Sequence, residues 1–339
     1  MTMIARSLNF ITNKIHELPV LVMMPHSRCN CRCVMCDIWK ANNEKKELTT
    51  EEIERHLPAF GKLKVREVVL SGGEALMHNN LWTLCRSLRK HHIKITLLST
   101  GLLLRRFAKD IVVNVDEVIV SLDGSRDVHN RIRAIPQAFE KLADGVRAIR
   151  EQKPSFRITG RCVLQRYNYF DLENIIMASR EMGLDQISFL PADVSTAAFN
   201  HVADKEKDRL HEIALTVYEA RDFQSIVEAT FKKFEGEYIS KFIAEGPDKM
   251  RKIPKYYLAL MGEGKFASPP CNAPWVSAVL ESDGRLMPCF FHKEYGNVQG
   301  NDFEEVLNSK EAIEFRRKLN VRRDEVCKKC VCSLKISMF

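Results

Sequence analysis

Three cysteines near the start of the chain have a spacing suited to an iron–sulfur cluster. Cys29, Cys33 and Cys36 are separated by three and then two residues, so one short loop offers three thiolates. A four-iron four-sulfur cluster needs a ligand at each iron, so three cysteines leave one iron open for chemistry. Zinc is the alternative, because cysteines two residues apart also form tetrahedral sites that a fourth protein ligand closes. Cys31 could be that ligand, but its spacing strains a compact site, and the spacing favours the cluster.

A second group of cysteines lies towards the end of the chain. Of eleven cysteines, nine fall in two groups, and the second group comprises Cys271, Cys289, Cys327, Cys330 and Cys332. In a reducing cytosol such groups bind metals more often than they form disulfides. A hairpin predicted over 276–290, with a Ser-Asp-Gly turn, would bring the first two cysteines to neighbouring ends. Together with the close pair at 327 and 330 they could bind a cluster or, as in a zinc ribbon, zinc.

The elements that must position these groups are visible between residues 18 and 191. Short apolar segments alternate there with amphipathic segments of helical period, which predicts a parallel sheet wrapped by helices. Strands are predicted over 20–24, 65–71, 93–99, 116–122, 156–164 and 186–190, and helices over 50–60, 80–91, 104–110, 136–152 and 171–182. Six strand–helix units are fewer than the eight of a closed barrel. The expected fold is therefore α/β, a partial (β/α)6 TIM-like barrel with its site at the carboxyl ends of the strands.

Glycines and polar residues follow these strands. Gly72, Gly73 and Glu74 follow the second strand, Thr100 and Gly101 the third, Asp123 and Gly124 the fourth, Asp193 the sixth, and Arg161 lies within the fifth. Any one of them alone would be an ordinary turn residue. Because the carboxyl ends of parallel strands meet at one edge, together they outline the mouth of a site. Asp193 is the candidate catalytic residue, as a rim residue near the substrate.

Composition excludes several classes of protein. The chain has 339 residues and a formal net charge of +8. No run approaches the roughly 20 apolar residues of a membrane span, and charges within the first 18 residues argue against a signal peptide. We therefore expect a cytoplasmic protein without membrane contact. The modest, dispersed positive charge favours an anionic small molecule over dedicated nucleic-acid binding.

The chain divides into three predicted segments. Residues 1–193 form the partial barrel, and residues 271–339 form a small cysteine-rich domain built from the hairpin and a helix over 302–317. Residues 194–270 are polar, with helices predicted over 205–220 and 238–243. This middle segment has no catalytic signature, so it is either a helical linker or an element that covers the substrate.

The ordered combination of motifs resembles a known family. The cysteine triplet, Gly72-Gly73-Glu74 and Ser121-Leu122-Asp123-Gly124 together resemble the radical S-adenosylmethionine (SAM) superfamily over residues 20–193. The resemblance implies that Cys29, Cys33 and Cys36 hold a [4Fe-4S] cluster. Its open iron would take the amino and carboxylate groups of SAM.

The resemblance also implies roles for residues at the strand ends. The cofactor-binding residues would be Gly72, Gly73, Glu74, Ser99, Ser121, Asp123 and Arg161. Glu74 would accept a hydrogen bond from the methionine amino group, since the glycines let the backbone approach closely. Ser121 and Arg161 would face the methionine carboxylate, although Arg161 could equally pair with a structural aspartate. Asp123 would meet the ribose or form an Asx turn.

The C-terminal cysteines resemble the auxiliary-cluster extension of that superfamily, called SPASM in its full form and twitch in its shortened form. The resemblance is to the twitch form, in which Cys271, Cys289, Cys327 and Cys330 would hold one auxiliary [4Fe-4S] cluster. Met35 departs from the aromatic residue that commonly precedes the last triplet cysteine. Cys332 has no position in the family pattern, and a second auxiliary cluster is not expected.

The implied chemistry is reductive cleavage of SAM to a 5′-deoxyadenosyl radical that takes a hydrogen atom from a substrate. A flavodoxin or ferredoxin-type protein would donate the electron. The auxiliary cluster would accept an electron from the substrate radical or relay electrons inward. The single auxiliary cluster and mild basic charge favour oxidation or rearrangement of a sugar, cyclitol or nucleotide-linked small molecule. The alternatives are modification of a ribosomal peptide with a separate recognition partner, and a non-catalytic iron–sulfur or zinc protein.

Overall fold

The computed structural model describes residues 2–201, 206–267 and 270–337. Lys205, where one helix was predicted to begin, lies outside the described residues. So do Met1 and Phe339, the outer limits of the first and third predicted segments.

The described residues form one nine-stranded sheet at the centre of the fold. Its strands are β1 (Val20–Met23), β2 (Glu67–Leu70), β3 (Lys94–Ser99), β4 (Glu117–Ser121), β5 (Arg157–Leu164), β6 (Gln186–Pro191), β7 (Ser277–Leu280), β8 (Arg285–Met287) and β9 (Gly296–Asn297). Their spatial order is β6-β5-β4-β3-β2-β1-β7-β8-β9. The pairings from β6 through β1 to β7 are parallel, and β8 and β9 are antiparallel. The predicted partial barrel is confirmed, and each of its six strands lies within two residues of its predicted limits.

Helices cover the sheet. Those of the described residues are α1 (Thr2–Thr12), α2 (Thr50–Lys62), α3 (Leu81–Lys90), α4 (Leu104–Asn114), α5 (Arg126–Arg133), α6 (Ala138–Gln152), α7 (Leu172–Glu181), α8 (Glu206–Ile213), α9 (Val217–Lys233), α10 (Glu235–Ile239), α11 (Pro247–Met250), α12 (Lys252–Leu260), α13 (Ala273–Val276), α14 (Phe303–Leu307), α15 (Lys310–Lys318) and α16 (Glu325–Lys328). The capping box predicted before α2 is present: Thr49 Oγ1 accepts from the Glu52 amide at 3.1 Å, and Glu52 accepts from the Thr49 amide at 2.8 Å.

Two predicted helices are each divided in the structure. The helix predicted over 302–317 is two helices, because Ser309 accepts from the Ala312 amide at 3.2 Å and so caps a new helix. The helix predicted over 205–220 is likewise interrupted before α9, where Thr216 and Glu219 form a second capping box. The helix predicted over 238–243 was wrong in its limits, since α10 ends at Ile239. Helix α5 was not predicted.

The predicted hairpin is β7 and β8, with Gly284 at φ +82° in its turn. Strand β7 pairs in parallel with β1, from Val20 opposite Ser277 to Met23 opposite Leu280. The cysteine-rich segment therefore extends the barrel sheet directly. This pairing places the end of the hairpin strand at the same sheet edge as the N-terminal cysteine loop.

The middle segment packs against the other side of the barrel. Ile187 of β6 donates its amide to Phe242 O at 2.8 Å and accepts from the Ala244 amide at 2.9 Å, so residues 242–244 cover the edge of the sheet. Phe189 on this strand shares a buried apolar cluster with Phe223 of α9. Burial of these side chains stabilises both segments.

Tyr257 fastens this segment to the site end of the barrel. Its side chain is fully buried, and its hydroxyl donates to Leu164 O at 2.5 Å and accepts from the Ala192 amide at 2.9 Å. Replacing it by phenylalanine leaves two buried backbone groups without partners, which should lower the free energy of unfolding by about 1–3 kcal/mol. Thermal unfolding monitored by circular dichroism measures the change. Tyr218→Phe, at a side chain that is 82% exposed, is the control and should leave the midpoint unchanged.

Within the described ranges, every helix is too short or too polar to cross a lipid bilayer.

Candidate functional site

A cavity of about 230 Å³ opens at the carboxyl ends of the strands, and we call it the rim cavity. It brings together most of the residues that the sequence singled out. Of the predicted site residues, those lining it are Cys29, Cys33, Cys36, Gly72, Gly73, Ser99, Ser121, Arg161 and Asp193. Three thiols, the backbone of one glycine turn and one guanidinium of the predicted set thus share a single space, and Cys332 and Arg133 line it as well.

The cysteine loop is held in place by side chains on both sides of it. Asn42 pairs with the backbone of Cys29 in both directions, accepting from its amide and donating to its carbonyl, each at 2.9 Å. His26 accepts from the Arg28 amide at 2.8 Å through Nδ1, so its Nε2 donates to Glu74 O at 2.7 Å. Burial lowers the pKa of His26 to about 4, and the ring therefore stays neutral and keeps this arrangement.

The glycine turn lies directly against the cysteine loop. A Cβ on Gly73 would stand 2.0 Å from Arg28 O and 3.0 Å from Cys29 Cβ. Gly72 has φ +104°, a conformation that L side chains rarely adopt. The close approach of the two loops therefore requires Gly73, and the backbone conformation favours glycine at position 72; both residues line the rim cavity.

The Glu74 carboxylate differs from the expected arrangement. It is fully buried and does not line the rim cavity. Oε2 accepts from the Ser99 hydroxyl at 3.0 Å and the Thr100 amide at 2.6 Å, and Oε1 accepts from the Leu76 amide at 3.1 Å. Burial raises the pKa of Glu74, and these hydrogen bonds oppose that rise. In this structure the carboxylate joins the loops after β2 and β3, so only its neighbouring backbone is available to a ligand.

Asp123 also departs from both expectations. It is fully buried and forms an ion pair with Arg133 at the end of α5. Its Oδ1 accepts from the Val163 amide of β5 at 2.9 Å. Asp123 does not line the rim cavity, so neither contact with a ribose there nor a local Asx turn describes its position. The aspartate at the end of β4 orients an arginine instead.

Arg161 is the predicted residue whose position best matches the expectation. Its Nε donates weakly to Ser188 Oγ at 3.5 Å, and among the described residues no carboxylate lies within ion-pair distance of it. The alternative of a structural aspartate partner is therefore not observed in the described part of the chain. Ser121 lies beside it, opposite Arg161 in the pairing of β4 with β5. The Arg161 guanidinium lines the rim cavity with no carboxylate partner among the described residues, so it is suited to bind an anionic ligand.

Asp193 lines the rim cavity, but its carboxylate accepts hydrogen bonds from residues of the loop that follows it. Its Oδ1 accepts from the Ser195 amide at 3.2 Å, and its other oxygen accepts from the Thr196 hydroxyl. The carboxylate is nearly fully buried. These contacts form a capped turn at the end of β6, and a catalytic role of Asp193 stays a prediction.

The C-terminal cysteines meet in a second cavity, of about 30 Å³. Its thiols are those of Cys271, Cys289, Cys327, Cys330 and Cys332. Burial raises the pKa of Cys289 to about 11 and raises those of Cys327 and Cys330 as well. Since thiolates are the metal-binding form, binding at this site must release protons.

Cys332 occupies a distinctive position among these five thiols. It lines both the small cavity and the rim cavity, as no other described residue of those two linings does. Four thiols suffice for a [4Fe-4S] cluster, so one of the five is in excess. The sequence indicated the five cysteines but could not show which of them face the rim cavity.

Several residues of the site were missed by the sequence analysis. His292 Nε2 lies 3.4 Å from Cys327 Sγ and 3.7 Å from Asp324 Oδ1. Arg133 donates to Cys33 Sγ at 3.4 Å. Neither stands in a motif of fixed spacing, because both reach the cysteines from elements distant in the chain. Both residues could be identified only by their proximity to the thiols, and that proximity is seen only in the folded structure.

A larger, open cavity of about 290 Å³ adjoins the rim cavity. The residues that line both cavities are Ile38, Gly72, Gly73, Phe199 and Phe290. The rings of the two phenylalanines stack with centroids 6.2 Å apart. Charged side chains line the larger cavity, among them Lys46, Glu281, Asp283, Arg285 and Lys293. Phe199 has φ +60°, which costs energy in a non-glycine residue.

Comparison with known families agrees with this geometry. The family described as the Radical SAM superfamily matches residues 23–178, and the family described as the SPASM iron-sulfur cluster-binding domain matches residues 271–331. The chain belongs to the radical SAM superfamily and carries a C-terminal SPASM domain. It is an enzyme whose cofactors are a [4Fe-4S] cluster, an auxiliary cluster and SAM. The thiol sets of the two cavities and the cation at Arg161 fit these groups.

Individual relatives differ in what they act on. The Fe-coproporphyrin III synthase of Methanosarcina barkeri is 23% identical over 308 residues, which are 85% of this chain and 73% of that protein. The subtilosin biosynthesis protein AlbA of Bacillus subtilis is 23% identical over 312 residues, 90% of this chain and 63% of that protein. SuiB of Streptococcus suis, bound to its precursor peptide SuiA, has a TM-score of 0.68 at 14% identity and covers 97% of this chain and 74% of its own. That structural likeness shows the fold alone.

Proposed function

We propose that this enzyme cleaves SAM in the rim cavity and uses the product to abstract hydrogen from a small-molecule substrate such as a sugar, cyclitol or nucleotide-linked compound. The observation that carries the proposal is that one cavity is lined by the three thiols of the cysteine loop and by Arg161, which has no carboxylate partner among the described residues. When bound, the open cluster supplies the electron that cleaves SAM to methionine and a 5′-deoxyadenosyl radical. A flavodoxin or ferredoxin-type donor would provide that electron.

The chain's own residues hold and orient the reactants. Cys29, Cys33 and Cys36 would bind the cluster from one side of the cavity. The Gly72-Gly73 backbone, on the adjoining turn, would accept from the methionine amino group in place of the Glu74 carboxylate. Ser121 and Arg161 would bind the methionine carboxylate from the neighbouring strands β4 and β5.

The C-terminal segment closes the cavity. Phe290, Val331 and Cys332 line it from that side, which limits access of water to a reactive intermediate. Cys271, Cys289, Cys327 and Cys330 would bind the auxiliary cluster just behind this wall. Its place next to the reaction site suits it to accept an electron from an oxidised substrate.

Arg161→Gln should weaken SAM binding by about 10- to 100-fold, the loss expected for one charge-assisted hydrogen bond to a carboxylate. Iron content should not change, because the hydrogen bond that Arg161 makes within the described part of the chain is to Ser188 and not to a cysteine. Equilibrium binding of SAM to the anaerobically reconstituted enzyme measures the effect. Arg157→Gln is the matched control on the same strand, at an exposed position where the arginine faces Glu117. Equal SAM affinity in the two variants would contradict the assignment of Arg161.

A peptide substrate is the second candidate, favoured by the open charged cavity beside the rim cavity. The two substrate classes are separated by fractionating an extract and measuring 5′-deoxyadenosine formed with SAM and dithionite. Stimulation by the low-molecular-mass fraction that survives protease digestion supports the small-molecule proposal. Stimulation only by a protease-sensitive fraction would support the peptide alternative. If no 5′-deoxyadenosine forms while both clusters are intact, SAM cleavage itself is contradicted.

A further inference from the structure

The C-terminal end of helix α5 accepts two backbone hydrogen bonds from the cysteine loop, one on each side of Cys33. The amides of Arg32 and Val34, which flank Cys33, donate to Arg133 O and Ile132 O, each at 3.1 Å. The loop is therefore fixed to α5 immediately before and after Cys33. This contact places the Arg133 side chain beside the Cys33 thiol.

Arg133 bridges a carboxylate and a thiol inside the protein. Its Nη1 donates to Cys33 Sγ at 3.4 Å, while its Nη2 forms the ion pair with Asp123. The side chain is only 8% exposed, and its Nε has no hydrogen-bond partner. Asp123 is fixed in turn by the Val163 amide, so the guanidinium is held from the side opposite the thiol.

The charges of Arg133, Asp123 and Cys33 are consistent with a cluster bound at Cys33. The guanidinium is buried, and Asp123 is its one carboxylate partner among the described residues. Asp123 alone would neutralise the charge of an arginine with a purely structural role. The guanidinium also donates to a thiol, which calls for a second explanation. A thiolate that carries part of the negative charge of a cluster is a suitable second partner.

We propose that Arg133 is a positioning residue of the SAM-cleaving cluster: it donates a charge-assisted hydrogen bond to the Cys33 thiolate and raises the cluster's reduction potential, with Asp123 holding the guanidinium. The inference rests on the proposed ligation by Cys33. One-electron reduction makes the cluster more negative without changing a bond, so a fixed cation beside its ligand stabilises the reduced form. Hydrogen bonds to the sulfurs are among the factors that set such potentials.

The test is an anaerobic redox titration of the reconstituted enzyme, followed by electron paramagnetic resonance. Only the cluster with an open iron should change its signal when SAM is added, which separates it from the auxiliary cluster. Arg133→Gln should lower its equilibrium constant for reduction at least tenfold, or about 59 mV for one electron. Arg133→Lys keeps the charge and should recover part of that loss.

Because Arg133→Gln leaves Asp123 as an unpaired buried charge, the double variant Asp123→Asn/Arg133→Gln provides a second route to the same comparison. It removes both charges and should still show a lowered potential, although by less than Arg133→Gln, because the negative charge of Asp123 is removed as well. Arg161→Gln is the control that should weaken SAM binding and leave the potential unchanged. The auxiliary-cluster potential should be constant in all of these variants.

An unchanged potential with weaker SAM binding in the Arg133 variants would make Arg133 a SAM ligand and overturn the inference. Loss of iron from both the single and the double variant, with folding intact, would make it a residue for cluster retention and overturn it too. Absence of SAM cleavage by the wild type at a normal potential would count against the proposed function alone.

Discussion

Replacing Cys33 by alanine should abolish SAM cleavage and remove the iron of one cluster, whereas Cys327→Ala should remove the iron of the other cluster and leave cleavage intact. The two thiols lie in different cavities, and only Cys33 faces the space that holds Arg161. A three-cysteine site has no spare ligand, so loss of one thiolate leaves two irons unsupported. At the auxiliary site the loss affects a cluster that is not required to cleave SAM.

Iron and sulfide counting after anaerobic reconstitution, together with 5′-deoxyadenosine formation, measures both effects. Cys85→Ala is the control, because this thiol is buried on α3 apart from both groups and should leave both clusters in place. Equal iron in the wild type and Cys327→Ala would count against the auxiliary site. Continued SAM cleavage by Cys33→Ala would contradict the proposal that the N-terminal cysteine loop binds the cluster that cleaves SAM.

The sheet was predictable because its strands carry a strong and local signal. After an initial glutamate, β2 and β4 are short runs of Val, Ile and Leu, and a serine follows the run in each, Ser71 after β2 and Ser121 at the end of β4. Strands covered by helices on one face and packed inside a barrel on the other read as continuous apolar segments. The ends of the strands could therefore be predicted from the apolar pattern. The loops that meet in the rim cavity followed from the strand ends, because they are the loops after those strands.

Side-chain direction was not predictable in the same way. Glu74 and Asp123 were placed at the correct sheet edge, but both carboxylates turn away from the cavity. Glu74 turns towards donors on the loop after β3, and Asp123 turns towards Arg133. A buried carboxylate goes to the donors or cation that compensate its desolvation, and those partners come from elements distant in the chain.

Helix α5 shows why some functional residues escaped notice. It is eight residues long and strongly polar, and its two aliphatic residues, Val128 and Ile132, are too few to indicate a helix by their spacing. Its stability comes instead from the buried side chains of His129, Ile132 and Arg133 and from its contacts with the cysteine loop. A sequence pattern cannot register an arginine whose partner is a thiol 100 residues away.

Replacing Gly73 by alanine should displace the cysteine loop and sharply reduce the iron bound at Cys29, Cys33 and Cys36. The new Cβ would stand 2.0 Å from Arg28 O and 2.5 Å from its carbonyl carbon, so backbone atoms would have to move. The residue that moves is bonded to Cys29, a proposed ligand. Because three ligands must meet one cluster, a shift of the first affects all of them.

The measurement is iron and sulfide per chain, taken with circular dichroism and thermal unfolding so that loss of the cluster is separated from loss of the fold. Gly61→Ala is the matched control, since a Cβ there meets nothing within 4 Å and alanine favours the helix. Gly72→Ala is an intermediate case, with its nearest contact at 3.2 Å but a strained φ of +104°. Iron should therefore fall in the order Gly61→Ala, Gly72→Ala, Gly73→Ala. Full iron in folded Gly73→Ala would show that the loop tolerates this displacement and that the close approach of the two turns is not what holds the cluster ligands in place.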